Sequence, residues 1–370
     1  MKFSCEKYLL QTAIVTASRC VASKSPIPAL EGLLIDASSD VKITGYDLKK
    51  GIYTSFPADV AESGSAVLPA RIFGEIVRSL PDGIVTISTD YNLNTKISCE
   101  SSEFNIIGSD PGEYPELPTV DRQSYICLPQ KIMSQMIRQT IFAISDNESR
   151  PVYTGALFEV NGDKLTVVTV DGFRLALRRE SVNISEVEDC SFIVPGNALT
   201  DLEKICVDPD EKVDITIGSR HISFIVGDTV LVSRRLEGEF MNYKKNIPTD
   251  FPIEIKAQRE DLLKIVSRVG LIIDEKTKNP VRMSFDENKI KFLCITGVGR
   301  AEDECVVEGS GNGLEIGFNN RYLSDALKAA PAQAIKIGLI NGASPCVIYP
   351  AEGEDSFAYM ILPVRLKAGA

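Results

Sequence analysis

The residues of this 370-residue chain best suited to catalysis are three carboxylates, Asp146, Glu148 and Asp171. With a divalent cation they could support hydrolysis or nuclease chemistry, although Asp146 and Glu148 stand two apart in a polar loop where carboxylates are usually only solvated. The single histidine, His221, excludes a histidine-dependent nucleophile or a multi-histidine metal site, and we expect it on a surface or edge strand. We therefore predict no catalytic residues, no metal site and no cofactor.

A glycine-rich stretch, Gly309-Ser-Gly-Asn-Gly313, has one feature of a phosphate-binding loop. It lacks the Gly-Lys-Ser/Thr ending, and residues 314–318 after it are typical of a strand, whereas a phosphate cradle needs a helix there. We expect a flexible hairpin loop at this position.

The element that could position functional residues is a pattern that occurs three times. Its copies are Leu68-Pro-Ala-Arg-Ile-Phe-Gly-Glu-Ile76, Val194-Pro-Gly-Asn-Ala-Leu-Thr-Asp-Leu202 and Phe318-Asn-Asn-Arg-Tyr-Leu-Ser-Asp-Ala326. The equivalent residues Phe73, Leu199 and Leu323 lie 126 and 124 residues apart. Solenoid units repeat over roughly 20 to 50 residues, so this longer period predicts three copies of one domain.

The front half of each third repeats as well. Strands beginning near residues 32 and 155 return through Gly45-Tyr-Asp47 and Val170-Asp-Gly172, and the less regular third copy, from residue 281, returns through Thr296-Gly-Val298. Each third starts with an amphipathic helix, at about 6–19, 129–144 and 259–273, and the repeated pattern begins a second helix. Strands fill the rest, which predicts an α+β fold with antiparallel sheets and domains at 1–119, 126–247 and 252–366.

Composition places the chain among ordinary globular proteins, with 44% hydrophobic and 25% charged residues. No apolar run is typical of a signal peptide or a membrane span, so we expect a cytoplasmic protein. The nine cysteines are scattered, without a C-x-x-C pair, and we expect reduced thiols.

Charge is distributed unevenly along the chain. The six predicted helices sum to about +5, whereas the whole chain carries −11, so the remaining residues sum to about −16. Helices gathered on one side would make a basic face in an acidic protein, suited to enclosing a nucleic acid duplex through phosphate contacts. The alternative is that lysine and arginine only solvate the helix surfaces.

Five further motifs closely resemble the beta subunits of bacterial DNA polymerase III, the sliding clamps, in order and in register from residue 1 to about 366. These are Lys24-Ser-Pro-Ile-Pro-Ala-Leu30, Phe142-Ala-Ile-Ser-Asp-Asn-Glu-Ser-Arg-Pro151, Thr169-Val-Asp-Gly-Phe-Arg-Leu175, Gly238-Glu-Phe-Met-Asn-Tyr-Lys-Lys-Asn-Ile-Pro248 and Leu362-Pro-Val-Arg-Leu366.

The resemblance implies a head-to-tail homodimer in which six similar domains form a ring around double-stranded DNA, with helices inside and sheets outside. Such a ring is a non-catalytic processivity factor that slides on DNA without reading its sequence. The implied partners are the replicative polymerase, an ATP-driven clamp loader and repair proteins, which bind through short linear peptides.

For DNA contact, the resemblance points to Lys24, Asn147 and Arg150, in loops that follow helices. The alternatives are ordinary loop solvation for the two cations and a turn-capping role for Asn147. This chain has Gly196-Asn197 where the family often carries basic residues. That departure weakens the expected basic lining of the second domain.

The resemblance also implies a peptide-binding pocket between the second and third domains, an apolar groove rimmed by a few cations. Three of its positions depart from the family, because Val170 replaces a common Thr, Phe173 a common His and Met241 a common Pro, which makes this pocket more apolar. The alternative for residues 170–173 is a simple Asp-Gly hairpin turn that serves only the core. The matching positions are Tyr153, Val170, Gly172, Phe173, Arg174, Leu175, Met241, Lys245, Cys346, Met360, Leu362, Pro363, Val364 and Arg365.

For ring closure, the resemblance points to Phe104 and Ile106 of one subunit meeting Leu271 and Ile272 of the other. The acidic run with Glu302 and Glu304 lies near the same seam, with Lys96 as a candidate opposite charge. Strand hydrophobics more often belong to their own domain's core, which is the alternative for each of these residues.

Two other functions remain open at this point. One is a metal-dependent nuclease or hydrolase using the three carboxylates named above. The other is a monomeric scaffold that binds peptides without encircling DNA.

Overall fold

A computed structural model describes residues 1–182, 189–274, 279–353 and 355–366. The chain folds into two compact units, Met1–Met133 with Asn197–Arg235, and Ser134–Gly196 with Leu236–Ala370. The middle third of the sequence therefore contributes to both units. In the described part of the chain, no helix has the length and apolar character needed to cross a membrane.

The described residues form two α-helices in each third, as the repeat predicts. The helices are α1 (Lys7–Ala17), α2 (Ala70–Ser79), α3 (Gln130–Arg138), α4 (Gly196–Ile205), α5 (Arg259–Val269) and α6 (Asn320–Ala329). The first helix of each third is shorter than predicted and is followed by a single 3₁₀ turn, for example Gly270–Ile272 after α5. After α3, the Thr140 hydroxyl donates to the Met136 carbonyl at 2.7 Å, and such side-chain bonds to the backbone compete with helix continuation.

The strands follow the same order in each third. The first third contains β1 (Lys2–Glu6), β2 (Gly32–Ala37), β3 (Val41–Tyr46), β4 (Lys50–Phe56), β5 (Asp59–Glu62), β6 (Gly64–Pro69), β7 (Ile84–Thr89), β8 (Asn94–Cys99) and β9 (Ser102–Ile107). The middle third contains β10 (Ser124–Pro129), β11 (Gly155–Asn161), β12 (Lys164–Val170), β13 (Arg174–Ser181), β14 (Cys190–Pro195), β15 (Lys212–Ile217), β16 (His221–Val226) and β17 (Thr229–Arg234). The last third contains β18 (Ile253–Gln258), β19 (Val281–Thr296), β20 (Gly299–Phe318), β21 (Ala334–Leu339), β22 (Cys346–Pro350) and β23 (Phe357–Ile361).

Each third supplies two groups of strands. The inter-helix strands lie between its two helices in sequence, and the flanking strands comprise one strand before the first helix and three after the second. An eight-stranded antiparallel sheet in the first unit has the order β10-β15-β16-β17-β4-β3-β2-β6. It therefore joins the flanking strands of the middle third to the inter-helix strands of the first third, through β17 and β4.

The second unit repeats this joint. Its ten-stranded sheet has the order β14-β11-β12-β13-β23-β22-β21-β18-β20-β19, so β13 of the middle third pairs with β23 of the last third. The remaining sheet, β5-β1-β7-β8-β9 in the first unit, contains the four flanking strands of the first third and the short inter-helix strand β5, without strands from another third. Strand β9 is therefore an edge strand within the described protomer, and its Ile107 side chain is 73% exposed.

Two predictions about strands need correction. Residues 309–313 are not a hairpin loop but an irregular part of β20, where the pairing with β19 shifts register near Glu287. Gly309 and Gly313 have positive φ angles of 119° and 76°, which let the strand bulge and then rejoin its ladder. His221 starts β16, which is an interior strand, and burial lowers the pKa of its imidazole, with the nearby Arg234 and Arg220 acting in the same direction.

The repeated helix positions anchor the cores. Phe73, Leu199 and Leu323 are all buried. Phe73 belongs to a core built entirely from residues of the first third, and Leu323 to a core built almost entirely from the last third. The apolar stripe of each second helix thus fixes that helix against its sheets.

We expect Phe73→Ala to lower the free energy of unfolding of the first unit by about 3–5 kcal/mol, because it removes a fully buried ring and leaves a cavity. Urea unfolding followed by circular dichroism would measure the change. Tyr91→Ala is the matched control, since Tyr91 is 92% exposed and its loss should change stability by less than about 0.5 kcal/mol. A loss below about 1 kcal/mol for Phe73→Ala would contradict this account of the core.

Candidate functional site

The turn between β12 and β13 carries a network of polar contacts. The Asp171 carboxylate accepts hydrogen bonds from the backbone N–H groups of Phe173 and Arg174, at 2.9 and 3.0 Å. Gly172 has a φ of +92°, a backbone conformation that residues other than glycine rarely adopt. The aspartate and the glycine together fix the direction in which the next two side chains leave the turn.

Arg174 is buried, and its guanidinium contacts two carboxylates and two aromatic rings. Its Nε lies 2.8 Å from Asp171 Oδ2, and its Nη1 lies 2.6 Å from Asp325 Oδ2 on α6. The guanidinium also lies over the rings of Tyr322 and Phe142, at 4.4 and 5.4 Å from their centroids. Two carboxylates and two aromatic faces satisfy the charge, so Arg174 positions its surroundings and is not a free cation.

Phe173 lies beside this cluster and is 60% exposed. Its ring stacks on that of Tyr322, with centroids 6.4 Å apart and an interplanar angle of 26°. An exposed aromatic ring that another ring holds in place offers a rigid apolar contact surface.

A small apolar cluster, here called the groove cluster, lies around the joint between β13 and β23. Its buried members include Val170, Leu175 and Met360, and Tyr153 and Met241 pack against it while partly exposed. Tyr153 is also held edge-on against Phe240, with ring centroids 5.4 Å apart. The structure therefore brings five of the predicted pocket residues into one apolar cluster.

The segment after β23 lies beside the turn. Leu362 donates its backbone N–H to the Phe173 carbonyl at 2.9 Å, and Val364 donates to the Gly317 carbonyl at 2.8 Å. Leu362 and Pro363 are half-buried, whereas Arg365 and, in the loop after Met241, Lys245 are exposed. These features give an apolar groove cluster with cations in exposed segments, which is the chemistry predicted for the pocket.

Cys346, another predicted pocket residue, packs on the other side of strand β22 from the groove cluster. It is almost fully buried and belongs to the core of the last third, together with Ile361. Successive strand residues point to opposite faces, so its neighbour Val347 joins the groove cluster. Sequence alternation along β22 was the signal that could have identified Val347.

The predicted DNA-contact residues are all exposed. Lys24 lies in the first unit, in the loop after the 3₁₀ turn that follows α1, and Asn147 and Arg150 lie in one loop of the second unit. Asn147 accepts a hydrogen bond from the Ser149 backbone N–H at 3.0 Å. Asn147 therefore has the turn-capping role considered for it. Lys24 and Arg150 remain exposed in their loops.

The basic residues of the helices differ in exposure, which the sequence does not reveal. Lys7, the only basic residue within α1, is largely buried and bonds to Asp82 at 3.2 Å and to the Leu80 carbonyl. Each of the other five helices carries at least one exposed cation, among them Arg78, Lys131, Lys204, Lys264 and Lys328. The exposed face of α1 is thus the one helix face without a basic residue from its own helix.

The predicted seam residues lie at exposed edges of their units. Phe104 is 37% and Leu271 84% exposed, whereas Ile106 and Ile272 are half-buried against the cores of the first and last thirds. The seam charges have partners within the protomer. Lys96 bonds to Glu103, Arg300 to Glu302 and Lys289 to Glu304, at 2.7, 2.5 and 3.0 Å.

The metal-dependent alternative loses support from this geometry. Both oxygens of Asp171 are engaged by the turn and by Arg174. Across residues 1–182, 189–274, 279–353 and 355–366, no cluster of three potential metal ligands is found.

Sequence comparison gives matches along the whole chain. Models of the DNA polymerase III beta subunit match at residues 1–118 for its N-terminal domain, 127–242 for its central domain and 244–365 for its C-terminal domain. A beta sliding clamp of Staphylococcus aureus is 31% identical over 377 aligned residues, covering 99% of each chain.

Solved structures are similar over the same extent. A DNA polymerase sliding clamp from Bacillus subtilis superposes with a TM-score of 0.95 at 32% identity, covering 99% of this chain and 100% of that one. The DNA polymerase III beta subunit from Thermotoga maritima gives a TM-score of 0.91 at 26% identity, with the same coverage.

We expect Arg174→Ala to lower the free energy of unfolding of the second unit by about 3–5 kcal/mol, because it leaves Asp325 and Asp171 without their buried partner. Arg321→Ala is the matched control, since Arg321 is exposed and reaches the same Asp325 at 3.8 Å. Urea unfolding of both variants would test this, and equal losses would contradict the role assigned to Arg174.

Proposed function

The chain belongs to the DNA polymerase III beta subunit family, the bacterial sliding clamps, and we propose that it closes as a ring around duplex DNA to hold a replicative polymerase in place. The observation that carries this proposal is the match of all three domains along 99% of the chain to relatives named as clamps. Its function is that of a processivity factor, a role that needs no catalytic residue.

The pattern of sheet pairing supports ring closure. Both joints seen in the protomer add the flanking strands of one third to the inter-helix strands of the third before it. The flanking strands of the first third and the inter-helix hairpin of the last third lack such partners within the described protomer. A second copy, placed head to tail, would supply both, and two such seams would close a homodimeric ring.

The repeat also predicts which strands meet at each seam. In the two existing joints, Lys50 of β4 pairs with Ser233 and Arg174 of β13 pairs with Ile361. The equivalent partners are the start of β20 and the edge strand β9, whose unpaired backbone groups favour strand addition. This pairing would cover Phe104 and Ile106, and we assign Leu271, Ile272, Glu302 and Glu304 to the opposite side of the seam.

We propose that DNA contacts are few and sequence-independent. The candidates are Lys24, Arg150 and Asn147, together with exposed helix cations such as Lys131 and Lys264. Phosphate contacts of this kind depend strongly on salt and carry no base information. A chain with a net charge of −11 needs the DNA to be enclosed for such contacts to suffice.

We propose that partner proteins bind by a short peptide at the groove cluster and the exposed Phe173. This assignment covers all the predicted pocket residues, Cys346 included, and adds Val347 from the groove cluster. Val170, Phe173 and Met241 replace more polar or more rigid residues of the family, so this site should favour peptides with apolar anchors. The polymerase, the clamp loader and repair proteins are the proposed partners, and the cytoplasm is the proposed location.

The domain limits remain those of the repeat, 1–119, 126–247 and 252–366. The limits of the three matched domains, at 118, 127, 242 and 244, support this division. ATP would be used by the loader and not by this chain.

Retention on DNA tests the ring. After loading with a clamp loader and ATP, we expect the protein to stay on closed circular duplex during gel filtration and to be lost once the circle is cut. A nicked but uncut circle is the control, because a nick leaves the topology of the ring intact. Equal loss from circular and linear DNA would remove the ring mechanism and favour the peptide-binding scaffold.

Peptide affinity tests the pocket. We expect Phe173→Ala to weaken binding of a labelled peptide with apolar anchor residues about tenfold, since an exposed aromatic contact is lost. Fluorescence anisotropy would measure the dissociation constant. Val207→Ala removes another exposed apolar side chain, outside the pocket, and should leave affinity unchanged. Equal affinities for Phe173→Ala and the unmodified protein would show that Phe173 is not part of the site.

A further inference from the structure

One ion pair is present twice in the protomer at equivalent positions. Lys50 Nζ bonds to Asp201 Oδ2 in the first unit, and Arg174 Nη1 bonds to Asp325 Oδ2 in the second unit. The two cations lie 124 residues apart, and so do the two carboxylates. The pair is therefore a repeated feature of the triplicated fold.

The structural setting of the two pairs is the same. Lys50 and Arg174 are the first residues of β4 and β13, the strands that form the joints. Their turns are held alike, because Asp47 accepts from the backbone N–H of Lys50 at 2.8 Å as Asp171 accepts from that of Arg174 at 3.0 Å. Each cation thus projects from a joint strand to the second helix of the following third.

The third copy of the carboxylate is Glu75. It lies 126 residues before Asp201, and the three acids each occupy the sixth position of their helices, α2, α4 and α6. Glu75 is exposed. Among the described residues it forms an ion pair with Arg71, which is also exposed and lies one helical turn earlier, at 3.1 Å. Exposed pairs of this kind contribute little to stability and can be exchanged for a better partner.

The third copy of the cation is Arg300. It lies 126 residues after Arg174 and is the second residue of β20, directly after the turn that replaces the Asp171 turn. Gly297 stands where the other copies have aspartate, so this turn offers Arg300 no carboxylate of its own. Arg300 is exposed and bonds to the exposed Glu302 at 2.5 Å.

The surroundings of Glu75 also lack a covering element. A cleft of about 510 Å³ beside α2 is lined by Glu75, Glu31, Arg71 and Ile72 among others. Ile72 is 50% exposed, whereas the equivalent residues are fully buried Ala198 and partly buried Tyr322, which stacks against Arg174. The cleft therefore has the position, the acidic charge and the exposed apolar side chain expected of a place where the turn before Arg300 would dock.

We propose that Arg300 of one copy pairs with Glu75 of a second copy, as the third instance of the repeated ion pair, and that this pair fixes the register of the seam. The inference rests on the proposed head-to-tail dimer and adds a specific contact to it. Docking removes both charges from water, so each needs the other once the seam has closed. A correctly placed pair also disfavours other arrangements of the two copies, because a misplaced copy buries charges without partners.

A charge-exchange cycle tests the pair, with dimer dissociation constants measured by analytical ultracentrifugation. We expect Glu75→Arg and Arg300→Glu to raise the constant by roughly 30-fold or more each, as for a buried pair that loses one partner. The double variant should return to within about threefold of the unmodified protein, because the pair is restored with reversed orientation. Both residues are exposed in the protomer, so circular dichroism should show unchanged folding.

Asp40→Arg is the matched control, since it changes charge equally in the exposed turn at the end of β2 opposite to the cleft. Single variants that leave the dimer unchanged, or a double variant no better than the singles, would overturn the pair while leaving the ring in place. A protein that sediments as a monomer near 40.4 kDa would remove the ring and the pair together.

Discussion

Strand pairing between consecutive thirds is the constraint on which the structure depends. The inter-helix strands of the first and middle thirds each join the flanking strands of the next third in one sheet. An edge strand exposes unpaired N–H and C=O groups, and a protein must cover, shorten or pair that edge. Two such joints form within the described chain, and the proposed head-to-tail dimer would supply the third.

This constraint also explains where the polar residues concentrate. At each internal joint, a turn held by aspartate starts the joint strand and sends a buried cation to an acid on the next second helix. The second copy of this arrangement lies in the proposed peptide site. Arg174 bonds to Asp171 of the turn and is itself fixed by Tyr322 and Asp325. Phe173 is therefore the exposed residue of the turn. A structural joint and a binding surface are thus built from neighbouring residues of one turn.

The helices contribute differently from the sheets. Their apolar stripes form the cores, as the buried positions of Phe73, Leu199 and Leu323 show, and their opposite faces carry scattered cations in an otherwise acidic chain. Exposed cations of this kind attract phosphate without reading bases, which suits the sliding ring proposed above. The exposed face of α1 departs from this pattern, because Lys7 is engaged by Asp82 and the Leu80 carbonyl.

The sequence by itself determined the triplication, the positions of the six helices and the family, because these depend on local periodicity and on residues in register. It also located most of the groove residues, since the motifs that carry the resemblance lie there. Tertiary structure alone decided which strands share a sheet across the thirds and that residues 309–313 bulge within β20. It also showed that Lys7 and Arg174 are engaged rather than free. The physical reason is that the joints between thirds and the ion pairs Lys7–Asp82 and Arg174–Asp325 connect residues at least 75 positions apart, and the periodicity of a sequence carries no record of such partners.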